Sequence, residues 1–470
     1  MNRPSLVSPD LLAWRPVRAL VDSAAFPLAL QVITMAVMSW LAISGAGIGA
    51  GMKADELMTL RKTNITTLVV WGLWWPGMIA VALALGRAWC TVCPMELVNR
   101  LGDSLARRAA WPRARLGRFL RAGWMTVAVY LVMQLLVAGG SVHRVPHYTS
   151  VLLATLAGGA LLSGFLFREH RSFCKAFCPA SALLSVYGRH TPIQLEVRDQ
   201  AVCDACPSHD CLRARNRERF DKRSCPSLLV PFRRDPSDGC VLCLQCAKVC
   251  PYHNMGLGLV ESSAPVRRKG LLRPFEAAFV MIALGFVAHE VIGEVNWLDG
   301  TFHSLPAWLN TLVPSIPFGW YEALWFLVVF PLLVWAVVCG IGYLIGHRGD
   351  LRTLLLAAAT GAAPVVAVAH LAKAAAKITA WGGFLPLALH DPLGVDTLRR
   401  IADHTLASPA GFLGLSALGW AMLATTLAVF GKAYVWSRQV PAGSVAGARA
   451  GLACAAVLFS AVLTAWVWPV

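Results

Sequence analysis

Eight of the fourteen cysteines lie between residues 203 and 250, in a segment that is otherwise polar and basic. The second half of this segment has the spacing C-x2-C-x2-C-x3-C-P, formed by Cys240, Cys243, Cys246 and Cys250. Three thiolates at this spacing bind one [4Fe–4S] cluster, and the fourth cysteine, which precedes proline, binds the neighbouring cluster. The segment is therefore predicted to hold two clusters.

The first half of the segment contains a stretched copy of the same motif. Cys203, Cys206 and Cys211 are followed by Cys225 and Pro226. Exchange of the fourth ligand assigns one cluster to Cys203, Cys206, Cys211 and Cys250 and the other to Cys240, Cys243, Cys246 and Cys225. Zinc and disulfides are the alternatives, but zinc sites usually consist of two C-x2-C pairs. Disulfides need an oxidising compartment, which the topology predicted below does not provide.

The composition indicates a polytopic membrane protein. Of the 470 residues, 57% are hydrophobic and only 14% are charged, which is far from the composition of a soluble domain. The net charge of +17 comes from basic residues in short segments beside apolar runs, where orientation signals are expected. Nucleic acid is therefore not expected as a partner, whereas membrane lipid is.

Nine segments contain the ~20 mostly apolar residues that a membrane-spanning helix needs. They are residues 25–46, 65–86, 122–139, 150–167, 274–293, 320–346, 353–374, 410–431 and 449–468. We therefore expect an all-α polytopic membrane protein with about nine transmembrane helices. The first of them is expected to be a retained signal anchor.

The basic loop at residues 87–121 predicts the orientation in the bacterial inner membrane. It carries eight arginines against two acidic residues, and such loops face the cytoplasm. Counting helices from this loop places the N-terminus and the cysteine-rich segment in the cytoplasm. The same count places the loop at 298–318 and the C-terminal Val470 in the periplasm.

Two shorter cysteine motifs repeat in the first half of the chain. Cys90 and Cys93 follow Arg87 and precede a proline, and Cys174 and Cys178 follow Arg171 in the same way. Both motifs come at the cytoplasmic end of a helix that closes a predicted helix pair. This repetition predicts a duplicated unit that brings four thiols together. The thiols then either form a metal or redox centre, or simply belong to turns in which Cys-Pro ends a helix.

Together these motifs resemble the membrane-bound polyferredoxin family. That family includes NapH-type quinol dehydrogenase subunits of periplasmic nitrate reductase systems, NosR-type proteins of nitrous oxide reduction and CcoG-type copper-handling proteins. The resemblance covers residues 25–260 and implies a cytoplasmic ferredoxin-like α+β insert with two [4Fe–4S] clusters. Cys174 and Cys178 match the family's C-x3-C-P spacing, whereas Cys90 and Cys93 are one residue closer.

The resemblance leaves about five C-terminal helices without a counterpart. We therefore predict three parts: an N-terminal membrane domain at 1–185, the two-cluster domain at 186–270 and a C-terminal membrane domain at 271–470.

The C-terminal helices carry ionisable residues at membrane depth, which are costly and usually functional. His289 and Glu290 lie near the outer end of the fifth predicted helix, and His370, Lys373 and Lys377 share one face of the seventh. The two histidines are candidates for axial ligands of a b-type haem or for proton acceptors at a quinol site. Alternatively, the lysines snorkel to the interface and the histidines bond to backbone groups.

The leading interpretation is an inner-membrane electron-transfer protein. It would pass electrons between the quinone pool or a cytoplasmic donor and a periplasmic redox partner or partner membrane subunit, as a quinol dehydrogenase-type oxidoreductase component. A second interpretation is a metal-ion reductase or assembly factor that binds copper at the Cys-Pro thiols, because thiolates favour Cu(I). A third is a transporter or receptor whose clusters sense redox state or iron.

Overall fold

The computed structural model describes residues 9–468 apart from 218, 220, 234–238 and 260–269. The chain divides into two compact units, each assembled from three stretches of sequence. Unit 1 comprises Met1–Met38, Val81–Gly123 and Leu156–Lys269, and unit 2 comprises Ser39–Ala80, Trp124–Thr155 and Gly270–Val470. All cysteines of the four motifs belong to unit 1. The three-part division predicted above stays a prediction, and the predicted position of Val470 lies outside the described residues.

The described part of the chain is mostly helical. Its α-helices of eight or more residues are Arg15–Asp22, Leu28–Ser44, Ala54–Thr63, Trp75–Leu85, Pro94–Arg108, Trp124–Gly139, Pro146–Leu166, Ala180–Tyr187, Pro274–Ile292, Ser304–Leu312, Phe330–Leu344, Leu351–Gly382, Val395–Ala402, Leu415–Trp436 and Val445–Val467. Shorter α-helices are Ile65–Thr67, Trp89–Val92, Arg118–Arg121, Ser172–Ala176, Gln200–Asp204, Gln245–Val249, Asn296–Phe302, Phe318–Leu324 and Leu385–His390. Two segments, Leu68–Trp74 and Trp325–Val329, are π-helical.

Helices lie at all nine predicted apolar segments. In the part of the chain that the structure describes, seven continuous helical stretches are long and apolar enough to cross a membrane. They are Ile65–Arg108, Pro146–Leu166, Pro274–Ile292, Phe318–Leu344, Leu351–Gly382, Leu415–Gln439 and Ala442–Val467. The apolar helices Leu28–Ser44 and Trp124–Gly139 are shorter, at 17 and 16 residues. A multi-pass helical membrane protein is confirmed, and the crossing of the two shorter helices stays a prediction.

The helices expose large apolar side chains, as lipid contact requires. In unit 2, Leu344, Val457 and Leu332 are 86%, 71% and 61% exposed. Since water would oppose such exposure at about 25 cal/mol per Å², these surfaces suit a hydrocarbon environment.

Close helix packing in unit 1 brings the two Cys-Pro repeats together. A Cβ atom on Gly102 would lie 2.1 Å from the Leu161 carbonyl oxygen, and one on Gly164 would lie 2.0 Å from that of Asn99. Only glycine permits backbones to approach so closely. The Asn99 amide nitrogen also donates to the Ala160 carbonyl at 3.0 Å and lies 3.1 Å from the Ser172 hydroxyl. The helix Pro94–Arg108, which follows the first repeat, therefore packs closely against Pro146–Leu166, which precedes the second.

In the sequence, the cysteine-rich segment lies between the two strands of an antiparallel sheet. Strand β1, Ile193–Val197, pairs with strand β2, Met255–Leu259, in a register that places Ile193 opposite Leu259 and Val197 opposite Met255. Leu195 and Met255 are buried in a core that includes Cys246 and Ala247. The small sheet therefore holds the two ends of the cysteine-rich segment together and packs against part of it.

In unit 2, the Leu351–Gly382 helix is buried along most of its length, and most of its buried residues are alanines and valines. It packs against Val445–Val467 and Pro274–Ile292. Small side chains allow membrane helices to approach and gain van der Waals contact. The buried Trp466 indole nitrogen donates to the Val291 carbonyl at 2.9 Å, which joins two of these helices at one end.

Candidate functional site

Cys203, Cys206, Cys211 and Cys250 meet in one group, here called the first cysteine group. All four line the same cavity. Burial, together with the neighbouring Cys250, Cys203 and Cys206 thiolates, raises the pKa of Cys211 to about 12. The Asn254 amide nitrogen donates to Cys203 Sγ at 3.3 Å, and the His209 N–H donates to Cys206 Sγ at 3.4 Å. Thiols from the two halves of the segment therefore lie at one cavity, and their assignment to one cluster stays a prediction.

Cys225, Cys240 and Cys243 meet in the second cysteine group, to which the predicted ligand exchange also assigns Cys246. Burial, together with the Cys225 and Cys240 thiolates, raises the pKa of Cys243 to about 12. Cys246 is buried and packs with Leu244 in the core beside Cys211. It also lines the cavity of the first group, so the two groups are neighbours.

The loop of the second group has a backbone suited to an anionic ligand. Leu242 and Leu244, on either side of Cys243, have left-handed φ angles of 49° and 57°. Alternation of left-handed residues forms a nest of backbone N–H groups, which recurs at iron–sulfur sites. The Gln245 amide nitrogen, next to Cys246, and the Ser224 hydroxyl, next to Cys225, are buried without a hydrogen-bond partner among the described residues. These residues fit a group that accepts hydrogen bonds, as cluster sulfides do.

Cys90, Cys93, Cys174 and Cys178 are the third cysteine group. Cys93 interacts electrostatically with the other three thiols. Burial, together with the Cys174 and Cys90 thiolates, raises the pKa of Cys178 to about 12. The shorter spacing of the first pair does not prevent the meeting, because in both repeats the Cys-Pro step begins the next helix.

The arginine of each repeat reaches a thiol of the other repeat. Arg171, with a left-handed φ of 59°, interacts with Cys174, Cys90 and Cys243, while Arg87 interacts with Cys178. Although burial lowers the pKa of Arg171, the Cys174 and Cys90 thiolates hold it above its ordinary value. Its Nη1 donates to the Ser227 hydroxyl at 2.9 Å, and its side chain also forms a hydrogen bond with Cys174. Arg171 therefore supplies positive charge to both the second and third groups.

Buried polar contacts hold the third group against the loop of the second. The Thr91 hydroxyl donates to the Val241 carbonyl at 2.6 Å, and Arg223 Nη2 donates to Glu96 at 2.8 Å. Gln31 Nε2 donates to the other oxygen of Glu96 at 2.9 Å. The side chains of Glu96 and Arg223 are only 4% and 12% exposed. A buried ion pair therefore holds the third group against the loop of the second.

A compact set of metal-ligating side chains lies outside the cysteine groups. Among the described residues, the ligand atoms of His289, His303 and Glu322 all lie within 4.8 Å of one another.

The charged residues predicted in the C-terminal helices lie in unit 2, where they form a network of ion pairs with Glu294. Lys373 Nζ lies 2.6 Å from Glu294 and 3.5 Å from Glu290, and Lys377 Nζ lies 3.7 Å from Glu290. The lysine charges are therefore balanced by carboxylates within the unit.

The histidine rings of the same region have different neighbours. The ring of His289 stacks on Phe326 at 4.2 Å, and the ring of His370 packs edge-on against Phe286 at 5.7 Å. His289 Nδ1 lies 3.1 Å from Nε2 of His303. These contacts give no support to a haem held between His289 and His370.

Sequence reasoning did not select His303 and Glu322, which lie beside His289. The signal for Glu322 was present, because it is an ionisable residue inside a predicted membrane span. His303 lies in the predicted periplasmic loop, where no periodicity or motif distinguishes it.

These features define a multi-pass membrane protein with ferredoxin-type cysteine motifs. Among curated proteins, the chain is similar to the ferredoxin-type protein NapH of Haemophilus influenzae, with 28% identity over 181 residues, which cover 34% of this chain and 57% of that relative. The chain thus spans little more than half the length of the relative it matches. No family model matches the chain, and no solved structure matches it.

The similarity supports the NapH-type part of the resemblance inferred from the motifs. The NosR-type and CcoG-type parts stay predictions.

Proposed function

We propose that this protein is an electron-transfer protein of the bacterial inner membrane, with one [4Fe–4S] cluster at the first cysteine group and one at the second. The observation that carries the proposal is the meeting of thiols that lie far apart in the sequence. Cys250 joins Cys203, Cys206 and Cys211, while Cys225 joins Cys243 and Cys240. The similarity to a ferredoxin-type protein supports the same assignment.

The chain's own residues would position and tune the two clusters. Cys246, which the prediction assigns to the second cluster, lines the cavity of the first group, so neighbouring residues would hold the two clusters. Hydrogen bonds from Asn254 and His209 to sulfur withdraw negative charge from the ligands, and such bonds raise the reduction potential of a cluster. When bound, the clusters supply one-electron chemistry.

The third cysteine group is proposed as a further redox metal centre on the electron path. Its thiols are largely buried, and Arg87 and Arg171 provide the positive charge that stabilises thiolates. Arg171 also interacts with Cys243 of the second group, which favours passage of electrons between the two. A copper ion bound by these thiols is the alternative, because thiolates favour Cu(I).

The quinone pool is the proposed electron donor or acceptor in the membrane, and a periplasmic redox protein or membrane subunit is the proposed partner. His370, on the same helix as Lys373 and Lys377, is the proposed proton acceptor for quinol oxidation, because a neutral histidine can take up a released proton. The ion pairs of the two lysines with Glu290 and Glu294 balance the charge of this region.

Anaerobically purified protein tests the proposal directly. We expect about eight iron and eight sulfide per chain from the first two groups, in addition to the metal of the third. Cys243→Ser should remove about four iron, whereas Cys454→Ser, a single thiol in unit 2, should remove none. Zinc without acid-labile sulfide would contradict the cluster assignment.

The quinol link needs a separate measurement. Addition of a reduced quinol analogue should reduce the clusters, as followed by EPR. His370→Ala should slow this reduction while the iron and sulfide content stays unchanged. Full activity of that variant would assign His370 to packing, and failure of the wild-type protein to react would point to a cytoplasmic donor.

A further inference from the structure

His289, His303 and Glu322 converge at one end of the helices of unit 2. His289 is near the end of Pro274–Ile292, His303 links Asn296–Phe302 to Ser304–Leu312, and Glu322 is in Phe318–Leu324. His303 Nε2 lies 3.1 Å from His289 Nδ1 and 3.5 Å from Glu322 Oε1. The three ligand atoms all lie within 4.8 Å of one another.

We propose that these three residues form a binding site for a divalent first-row transition metal, independent of the iron–sulfur groups. Two imidazoles and one carboxylate are the ligand set of catalytic zinc and non-haem iron sites. The absence of thiols from this set distinguishes it from the cysteine groups of unit 1 and suits Zn²⁺, Fe²⁺ or Co²⁺.

The surroundings hold the ligands in position. His303 Nδ1 lies 3.1 Å from Asp299 Oδ1 and 3.0 Å from the Asp299 carbonyl. This contact fixes the tautomer that leaves Nε2 free to bind a metal, as carboxylates behind metal-bound histidines commonly do. Phe326 stacks on His289 at 4.2 Å, and Phe302 packs edge-on against His303 at 5.0 Å. Both rings are therefore held before a metal arrives.

The local charge is suited to a dication. Lys373 and Lys377 are already paired with Glu290 and Glu294. Glu322 and Asp299 provide two negative charges to the site, and Arg144 is the cation that interacts with Glu322. The side chains of His289 and Glu322 are 19% and 16% exposed, so an ion can enter, and three protein ligands leave a coordination position open for water or substrate.

Co²⁺ is the probe for a direct test on the full-length, cluster-loaded protein. After removal of loosely bound metal with a chelator, the protein is dialysed against Co²⁺ and examined by metal analysis and EPR. We expect one Co²⁺ per chain in a nitrogen and oxygen environment. His303→Ala and Glu322→Gln should lose it, while His390→Ala, a variant at an exposed histidine of unit 2, should retain it.

Iron and sulfide content and elution volume report whether each variant is folded. Asp299→Asn keeps all three ligands and should weaken Co²⁺ binding by about 10- to 100-fold; it decides the question if His303→Ala is unstable. The proposal is overturned if the wild-type protein takes up no Co²⁺, or if folded His303→Ala or Asp299→Asn binds it as the wild type does. In that case the three residues form a hydrogen-bonded cluster only.

Discussion

Arg223 Nη2 donates a hydrogen bond to Glu96 Oε1 at 2.8 Å, although 127 positions separate the two residues in the sequence. The contact joins the helix after Cys93 to the chain before Cys225. Glu96→Gln would leave the Arg223 charge buried without its partner, and breaking such a pair costs about 3–5 kcal/mol. We expect a lower denaturation midpoint and loss of iron from the second cysteine group, measured on anaerobic protein.

A surface pair in the same unit provides the control. Arg219 and Asp221 are 2.7 Å apart, but their side chains are 51% and 47% exposed, and such pairs contribute little to stability. Asp221→Asn should leave the denaturation midpoint unchanged. Equal effects of the two substitutions would show that the burial of the Glu96 pair does not matter.

Arg171 should set the reduction potential of the second group. Its positive charge interacts with Cys174, Cys90 and Cys243, and positive charge stabilises the reduced, more negative state of a cluster. Arg171→Gln should therefore lower the midpoint potential by tens of millivolts, on the order expected for a nearby charge at an effective dielectric constant of about 20. A redox titration followed by EPR measures the shift.

Arg215→Gln is the matched control, because the side chain of Arg215 is 70% exposed and its field is screened by water. An unchanged potential in Arg171→Gln would remove Arg171 from the proposed electron path.

Much of this arrangement could be predicted because it depends on local sequence. The spacing of Cys240, Cys243 and Cys246 predicts a loop that wraps a cluster, and the apolar length of each span predicts a helix. The meeting of the two Cys-Pro repeats could also be predicted, since duplication implies equivalent positions.

Other relationships depend on contacts that no period or spacing records. The Glu96–Arg223 pair and the approach of His303 to His289 follow from how loops and helices pack over long sequence distances. Arg171 carried a recognisable signal as part of a repeat, but its left-handed backbone, which is uncommon for residues other than glycine, could not be read from the sequence. That each unit is assembled from three separate stretches also follows from packing over long sequence distances, so the sequence did not predict it.

Reporter fusions test the predicted topology. A reporter active only in the periplasm should give signal when fused within residues 298–318 and none when fused after Gly256, because the basic loop at 87–121 is expected to stay in the cytoplasm. A periplasmic signal after Gly256 would invert the orientation and expose the cysteine groups to an oxidising compartment.

His143 should make the protein less stable in mild acid. Its Nδ1 lies 2.7 Å from the Val137 carbonyl oxygen and so carries the proton, while Nε2 accepts from Arg144 Nε at 3.3 Å. Burial and the Arg144, Lys377 and Arg61 charges lower the pKa of His143 to about 3. The unfolded chain takes up a proton below its ordinary pKa of about 6.5 and the folded chain does not, so stability falls as the pH drops from 6.5 towards 3, by up to ~1.4 kcal/mol per pH unit.

Denaturation in detergent between pH 5 and pH 7.5 measures this slope. His143→Gln should flatten it, whereas His390→Gln, at an exposed position, should not. An unchanged slope in His143→Gln would mean that His143 binds its proton equally well in the folded and the unfolded chain.

The pairing of β1 with β2 has a consequence for how the cysteine-rich segment is attached. Because Val197 lies opposite Met255, the backbone leaves the sheet and returns to it at neighbouring positions, about 5 Å apart across an antiparallel pair. The whole segment between them therefore enters and leaves at one place, as the loop of a hairpin does. Its orientation then depends on side-chain contacts such as that of Arg223 with Glu96.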